Sequence, residues 1–208
     1  MIETTELSTR ERILEASGAI FARDGFHRAG IRDICTCANC NVASVKYYFG
    51  DKLGLYRELM RNGVADLQAN RPEPIGKGSG ESGEQVLGRW LRQFLELTLI
   101  HRHNHPYLGH IMKHELREPT AVLDEMVQNV VRPIHAELSS ILRRVTGQPL
   151  SVSRQTAVLI LSMVANLETS RPLFERLGTK LPSSEKAIDK FAEELTKFVL
   201  SGVQGTRK

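Results

Sequence analysis

The sequence predicts an all-α fold, and three observations carry the prediction. Apolar residues recur three and four positions apart along nearly the whole chain, the period that lines one face of a helix. β-branched residues never alternate with polar ones over the length of a strand. Breaks in the helical period coincide with Pro, Gly or a good capping residue.

Ser8 and Glu11 make a capping box, in which the serine side chain and the glutamate satisfy free amides of a first turn. A helix from about Thr9 to Asp24 follows, with Ile13, Ala16, Ile20 and Phe21 facing inward. Gly25 supplies the left-handed residue that commonly ends a helix. Ile31 to Cys37 reads as a short helix that Gly30 can cap, and Asn41 can cap another from Val42 to Phe49. Gly50 breaks the chain, and Asp51 caps a longer helix to about Asn70 with Leu53, Leu55, Tyr56, Leu59, Met60 and Val64 on one side.

From Arg71 to Gly83 come two prolines, four glycines and two serines with a single aliphatic residue, a composition that buries nothing and reads as a linker. It divides the chain into residues 1–70, a linker over 71–83 and a larger helical domain over 84–208. In that domain helices are expected near 84–102, 107–117, 121–146, 153–169 and 186–201. Prolines 106, 119, 149, 172 and 182 sit in the gaps. Pro133 falls inside the third and should kink or split it.

Charge does not locate a nucleic-acid site. The chain has 28 Lys and Arg against 24 Asp and Glu, but its first 70 residues hold equal numbers of each. Geometry is more informative. Two short helices joined by a tight turn and flanked by longer ones match the helix-turn-helix plan, whose second short helix enters the DNA major groove. The run IRDICTCANCNVASVKYYFGDKLGLY, Ile31 to Tyr56, closely resembles the signature of TetR-family regulators in its turn, recognition helix, aromatic pair and following lysine. The segments HPYLGHIMKHELREPTAVLDEM and SRPLFERL are similar to the CecR-like branch. The resemblance implies an N-terminal three-helix helix-turn-helix domain and a larger C-terminal domain for effector binding and dimerisation. It implies a homodimer on double-stranded palindromic operator DNA, released by a small-molecule effector, and no enzyme activity. The expected role is a ligand-responsive repressor; an activator is the alternative, because that outcome depends on where the operator lies, which the chain does not encode.

Three positions depart from the family pattern. Asn39 stands where Gly is usual, and Asn is the side chain that best tolerates the same left-handed backbone. Gly30 replaces a common Thr and loses a hydroxyl. Cys40 replaces an aliphatic turn residue and can fill the same small site.

On the recognition helix, Val45 and Phe49 are spaced to face the first helix, which leaves Val42, Ala43, Lys46 and Tyr47 to read bases. Lys46 alone carries a charged donor, and a lysine on guanine O6 or N7 contributes about 1–3 kcal/mol of discrimination. By the resemblance, Ser44, Tyr48 and Lys52 bond phosphates and set register.

Other clusters have plainer readings. Cys35 and Cys37 lie about 200° apart on a helix, too far to share an ion, so packing or simple exposure accounts for them and Cys40 better than a metal or thiol sensor. Five histidines fall between His101 and His114, with His110 and His114 one turn apart. Neither a metalloprotease nor a di-iron spacing is present, so no catalytic metal or cofactor is expected, and a helical metalloprotein is the rival reading. Trp90, Phe94, Tyr107, Ile111, Met112, Met126 and Val130 could line an apolar effector cavity, or could simply be core. VLILSMVANL and the stripe Ile188, Phe191, Leu195, Phe198 and Val199 could be buried inside a monomer; by the resemblance, the last two predicted helices pair with their copies as a dimer interface. No apolar run approaches the ~20 residues of a membrane span and no signal peptide is recognisable, so the expected location is the cytoplasm.

Overall fold

The computed structural model describes residues 7–69, 80–100 and 107–204, with side chains described for all of these except 66–69 and 203–204. The helices are α1 Thr9–Arg28, α2 Ile31–Cys37, α3 Val42–Phe49, α4 Lys52–Ala69, α5 Gly83–Leu99, α6 Leu108–Arg117, α7 Ala121–Met126, α8 Arg132–Thr146, α9 Leu150–Leu167, α10 Arg171–Arg176 and α11 Glu185–Gln204. A π-helical turn, Val127–Val131, joins α7 to α8. The described residues include no strand.

The capping box that opens α1 is present in both directions, Ser8 N–H donating to Glu11 Oε2 at 2.8 Å and Glu11 N–H to Ser8 Oγ at 3.3 Å. The hydrogen bond from Ser8 holds the Glu11 carboxyl below its ordinary pKa. At Gly25 the backbone leaves the helical region (φ 74°, ψ 170°), and one more turn runs on to Arg28. Glycine suits this position because its φ is positive, and a Cβ, 3.0 Å from the His114 ring, would also force that ring to shift.

The chain forms two compact units. The first holds α1–α4 together with α6 and α7; the second holds α5, the π-turn and α8–α11. This grouping differs from the division at the linker, which assigned 107–126 to the C-terminal domain. The reason is side-chain packing: Leu108 and Ile111 of α6 and Val122 of α7 join Ile13, Ile20, Phe21, Ile34, Val45, Leu55, Tyr56 and Met60 in one core.

In the second unit, Val86, Leu87, Trp90 and Leu91 of α5 pack on Leu138, Ile141 and Leu142 of α8 and on Ala157 and Ile160 of α9. Leu95, Leu99, Val164, Ile188 and Ala192 continue that packing toward α11. Pro133 neither ends the helix nor leaves a simple kink. Lacking an amide for the i−4 carbonyl, it follows a π-turn that absorbs the mismatch, and α8 continues to Thr146. Pro172, expected in a gap, instead sits in the first turn of the short α10, where a missing amide costs nothing.

α9 is long and apolar enough by composition to cross a membrane, and only 22% of it is buried within the chain. Val158, Leu159 and Met163 face outward, as does Phe198 of α11.

Candidate nucleic-acid interface

The turn that positions α3 is held by backbone and by one arginine. Asn39 adopts φ 48°, the left-handed conformation its sequence position called for. Cys40 N–H donates to the Cys35 carbonyl at 3.0 Å, and Arg12 Nε of α1 donates to the Ala38 carbonyl at 3.2 Å. Asn41 then caps α3, its Oδ1 accepting from Ser44 N–H at 2.9 Å and from Ser44 Oγ at 3.1 Å.

One face of α3 is locked down. Val45 is 2% exposed in the first core. Phe49 lies under the Arg10 guanidinium, 5.5 Å from ring centre, and Arg10 pairs with Glu58 of α4 at 2.6 Å. The opposite face is open: Val42 is 50% exposed, Tyr47 is 82% exposed, and Ala43 and Lys46 also stand in solvent. A tyrosine this exposed contributes almost nothing to packing, so the fold alone gives no reason for it. Its ring meets Tyr48 edge to face at 4.9 Å, which pre-orders the pair.

The three phosphate candidates are less uniform. Tyr48 is exposed. Ser44 is half-buried, with its hydroxyl engaged by Asn41. Lys52, at the first turn of α4, donates to the His27 carbonyl at 3.2 Å and sits 4.7 Å over the Phe26 ring. Burial lowers its pKa. The fold itself therefore holds this lysine in place.

The sequence reading missed the network that braces these helices. Tyr56 of α4 donates to Glu115 Oε2 at 2.7 Å, and Glu115 Oε1 accepts from the Thr120 amide and hydroxyl at 2.8 Å each. Glu115 is 1% exposed, and this full set of donors is what makes a buried carboxylate tolerable. Burial, and then the bond to Glu115, push the Tyr56 phenol far above its ordinary range. Arg57 Nε donates to both Glu125 oxygens at 2.8 and 3.0 Å, a second tie from α4 to α7. The only sequence signal was a polar residue, Glu115, in the apolar stripe of α6.

The apolar effector candidates separate into two cores. Trp90 and Phe94 stack at 5.1 Å in the second unit. Ile111 is buried in the first core, where Met112 and Met126 pack against it, and the Tyr107 ring lies against Gly18. Val130 lies in the π-turn. Ile111, Met112 and Met126 thus serve as packing for the helix-turn-helix helices.

His101, His103 and His105 lie outside the described residues. His110 is exposed, while the His114 ring packs on Gly25 with Nε2 3.2 Å from the Ala22 carbonyl. Among the described residues no group of three or more His, Cys, Asp or Glu could hold a metal. Cys35 is buried, and burial followed by a hydrogen bond with Cys40 pushes its thiol up to about 11. A thiol so shifted carries little thiolate near neutrality and is inert.

Comparison with known proteins agrees with this geometry. Residues 84–203 match the family described as the HTH-type transcriptional dual regulator CecR, C-terminal domain, and residues 13–59 match the bacterial regulatory proteins of the tetR family. A probable HTH-type transcriptional regulator, YttP of Bacillus subtilis (strain 168), is 25% identical over 122 residues, 59% of this chain and 57% of that protein. The HTH-type transcriptional repressor NicS of Pseudomonas putida is 27% identical over 146 residues, 70% of this chain and 60% of that protein. The chain thus spans somewhat under two thirds of the length of these relatives. A crystal structure of a transcriptional regulator from Rhodococcus sp. Rha1 superposes with a TM-score of 0.63 at 20% identity, covering 95% of this chain and 98% of that one. The chain belongs to the TetR family of bacterial transcriptional regulators, with the C-terminal domain of the CecR type, a family of DNA-binding regulators and not of enzymes.

Proposed function

We propose that this regulator is a ligand-responsive repressor that binds a palindromic operator as a homodimer in the cytoplasm. The observation that supports it most is the two-sidedness of α3: Val45 and Phe49 are fixed beneath, while Val42, Ala43, Lys46 and Tyr47 stand free above. A helix held this way presents the same side chains to every groove it enters. Lys46 and Tyr47 supply donors for base edges, Val42 and Ala43 supply methyl contacts, and Ser44, Tyr48 and Lys52 flank them for phosphates.

Self-association uses α9 and α11. Val152, Leu159 and Met163 recur at helical spacing on one outward face of α9, with Leu159 65% exposed and Phe198 of α11 64% exposed. Apolar area of this kind favours burial by about 25 cal/mol per Å2, and a second copy of the same face provides it. A dimer then offers two copies of α3, to be spaced about 34–36 Å apart on successive major grooves. An effector that binds better to a differently spaced form lowers operator affinity by that differential alone.

The test is selection of bound duplexes from a random pool by the purified protein. An inverted repeat with half-site centres about 10 bp apart, or a multiple of that, supports the proposal. Recovery of no consensus, or of a single unrepeated site, contradicts it.

A further inference from the structure

A second feature of the C-terminal unit has no role in DNA reading or self-association. An open cleft of about 800 Å3 lies where the π-turn, α8 and the start of α9 meet, and Arg132, Arg143 and Arg154 line it together with His135, Val131 and Leu150. We propose that this cleft binds an anionic amphipath, a molecule with a carboxylate or phosphate head and an apolar body.

Charge is the first argument. No acidic residue lines the cleft. Arg10, Arg57, Arg61, Arg89, Arg92 and Arg171 all pair with carboxylates. Arg132, Arg143 and Arg154 have no ion pair among the described residues and instead line one concavity. Arg132 and Arg143 are eleven residues apart on α8, about three turns, and so share a face. Arg154 joins them from α9, fixed by its own carbonyl, which lies 3.0 Å from His135 Nε2. With arginines and no carboxylate on its walls, the cleft offers an anion forked guanidinium donors and charge-assisted hydrogen bonds.

Shape and apolar surface argue for more than a bare anion. The volume far exceeds what phosphate fills and lies within the range of small-molecule sites. Val131 and Leu150 are both exposed on the wall, and Val127 adds a third aliphatic side chain. Val127 and Val131 are the two ends of the π-turn, a distortion that often marks a functional site because it re-aims side chains. The cleft is also separate from the self-association face. On α9, Arg154 lies about 140–180° around the axis from Val152, Leu159 and Met163, so pairing through those residues leaves it open.

The proposal gives the effector a chemical class and in that respect rests on the regulatory reading. Binding is measured without DNA, so failure here leaves operator recognition untouched. Calorimetric titration of the full chain with decanoate and with decyl phosphate, below micelle formation, should show one site per chain for either or both. Inorganic phosphate should bind at least about tenfold more weakly, and decyltrimethylammonium should not bind. A variant carrying Arg132→Gln, Arg143→Gln and Arg154→Gln should lose about tenfold or more in affinity while unfolding at the same temperature without ligand. All three side chains are exposed, so the fold does not depend on them. If that variant unfolds early, the three single substitutions replace it, each expected to weaken binding. Equal binding of the cationic amphipath, equal binding of inorganic phosphate, no binding of either decyl anion, or full affinity in the arginine variants would overturn the proposal.

Discussion

α3 and α9 both present exposed faces that no other described helix covers, and the chemistry of the two faces is opposite. On α3 the outward residues include Lys46, Tyr47 and Tyr48, whose polar ends stay hydrated until DNA arrives. On α9 they include Val152, Val158, Leu159 and Met163, which gain nothing from water. The first surface can wait for its partner and the second cannot. The proposed function uses this asymmetry: a reversible, salt-sensitive contact through α3 and, in the proposed dimer, a standing apolar contact through α9.

The comparison is broken most severely at α9. Leu159→Arg places two symmetry-related charges in the proposed interface, where an unpaired buried charge costs several kcal/mol. Sedimentation velocity should show a monomer, and operator affinity should fall by about 100-fold or more because the two half-sites are no longer read together. A Leu159→Arg protein that remains a dimer would move the interface elsewhere.

Next in size is the bracing of the reading head. Tyr56→Phe leaves a buried Glu115 oxygen without its donor and should cost about 1–3 kcal/mol in urea unfolding. Glu115→Gln keeps a carbonyl oxygen for the Thr120 amide and hydroxyl and places an NH2 donor opposite the Tyr56 hydroxyl, which can accept instead of donating, and should cost less. Equal stability of wild type and Tyr56→Phe would remove the network from the account of how α4 and α6 are held together.

A smaller effect sharpens the electrostatic half. Lys52→Ala should weaken binding by a similar factor on every duplex and reduce the slope of log affinity against log salt by about 0.9. An unchanged slope would mean that Lys52 stays on the His27 carbonyl in the complex. The smallest effect is at Cys35. Its thiol titrates at about 11 in the folded chain against an ordinary 9.0, so the folded state holds more protons between those values and stability falls as pH rises through that window. Below about pH 9 the contribution is fully present. A thiol reagent near neutral pH should label the exposed Cys37 and spare Cys35 until the chain unfolds.

Much of the first unit was legible in the sequence because its signals are local. The Ser8–Glu11 box, the left-handed Asn39, the Asn41 cap and the alternation of buried Val45 with exposed Lys46 and Tyr47 each involve residues within one or two turns of each other. What escaped was set by distant partners. Tyr56 meets Glu115 across 59 positions, and α6 joins the N-terminal core although the linker lies between them in sequence. The same limit explains the effector set: Ile111 and Met112 have the spacing of a pocket wall, but which core a helical stripe enters depends on what packs against it. The arginine-lined cleft was invisible for a related reason. Arg154 comes from a different helix than Arg132 and Arg143, and the π-turn that brings Val127 and Val131 to it follows from how Pro133 is accommodated.

The most direct test of the central claim, that the exposed face of α3 reads the operator, is a position-by-position affinity profile of wild type and Lys46→Ala on the duplex recovered by selection. The account predicts that Lys46→Ala loses discrimination of about 1–3 kcal/mol at one symmetry-related pair of G·C positions and keeps the rest of the wild-type profile. An equal loss at every position would make Lys46 a phosphate contact, and an unchanged profile would take α3 out of the groove.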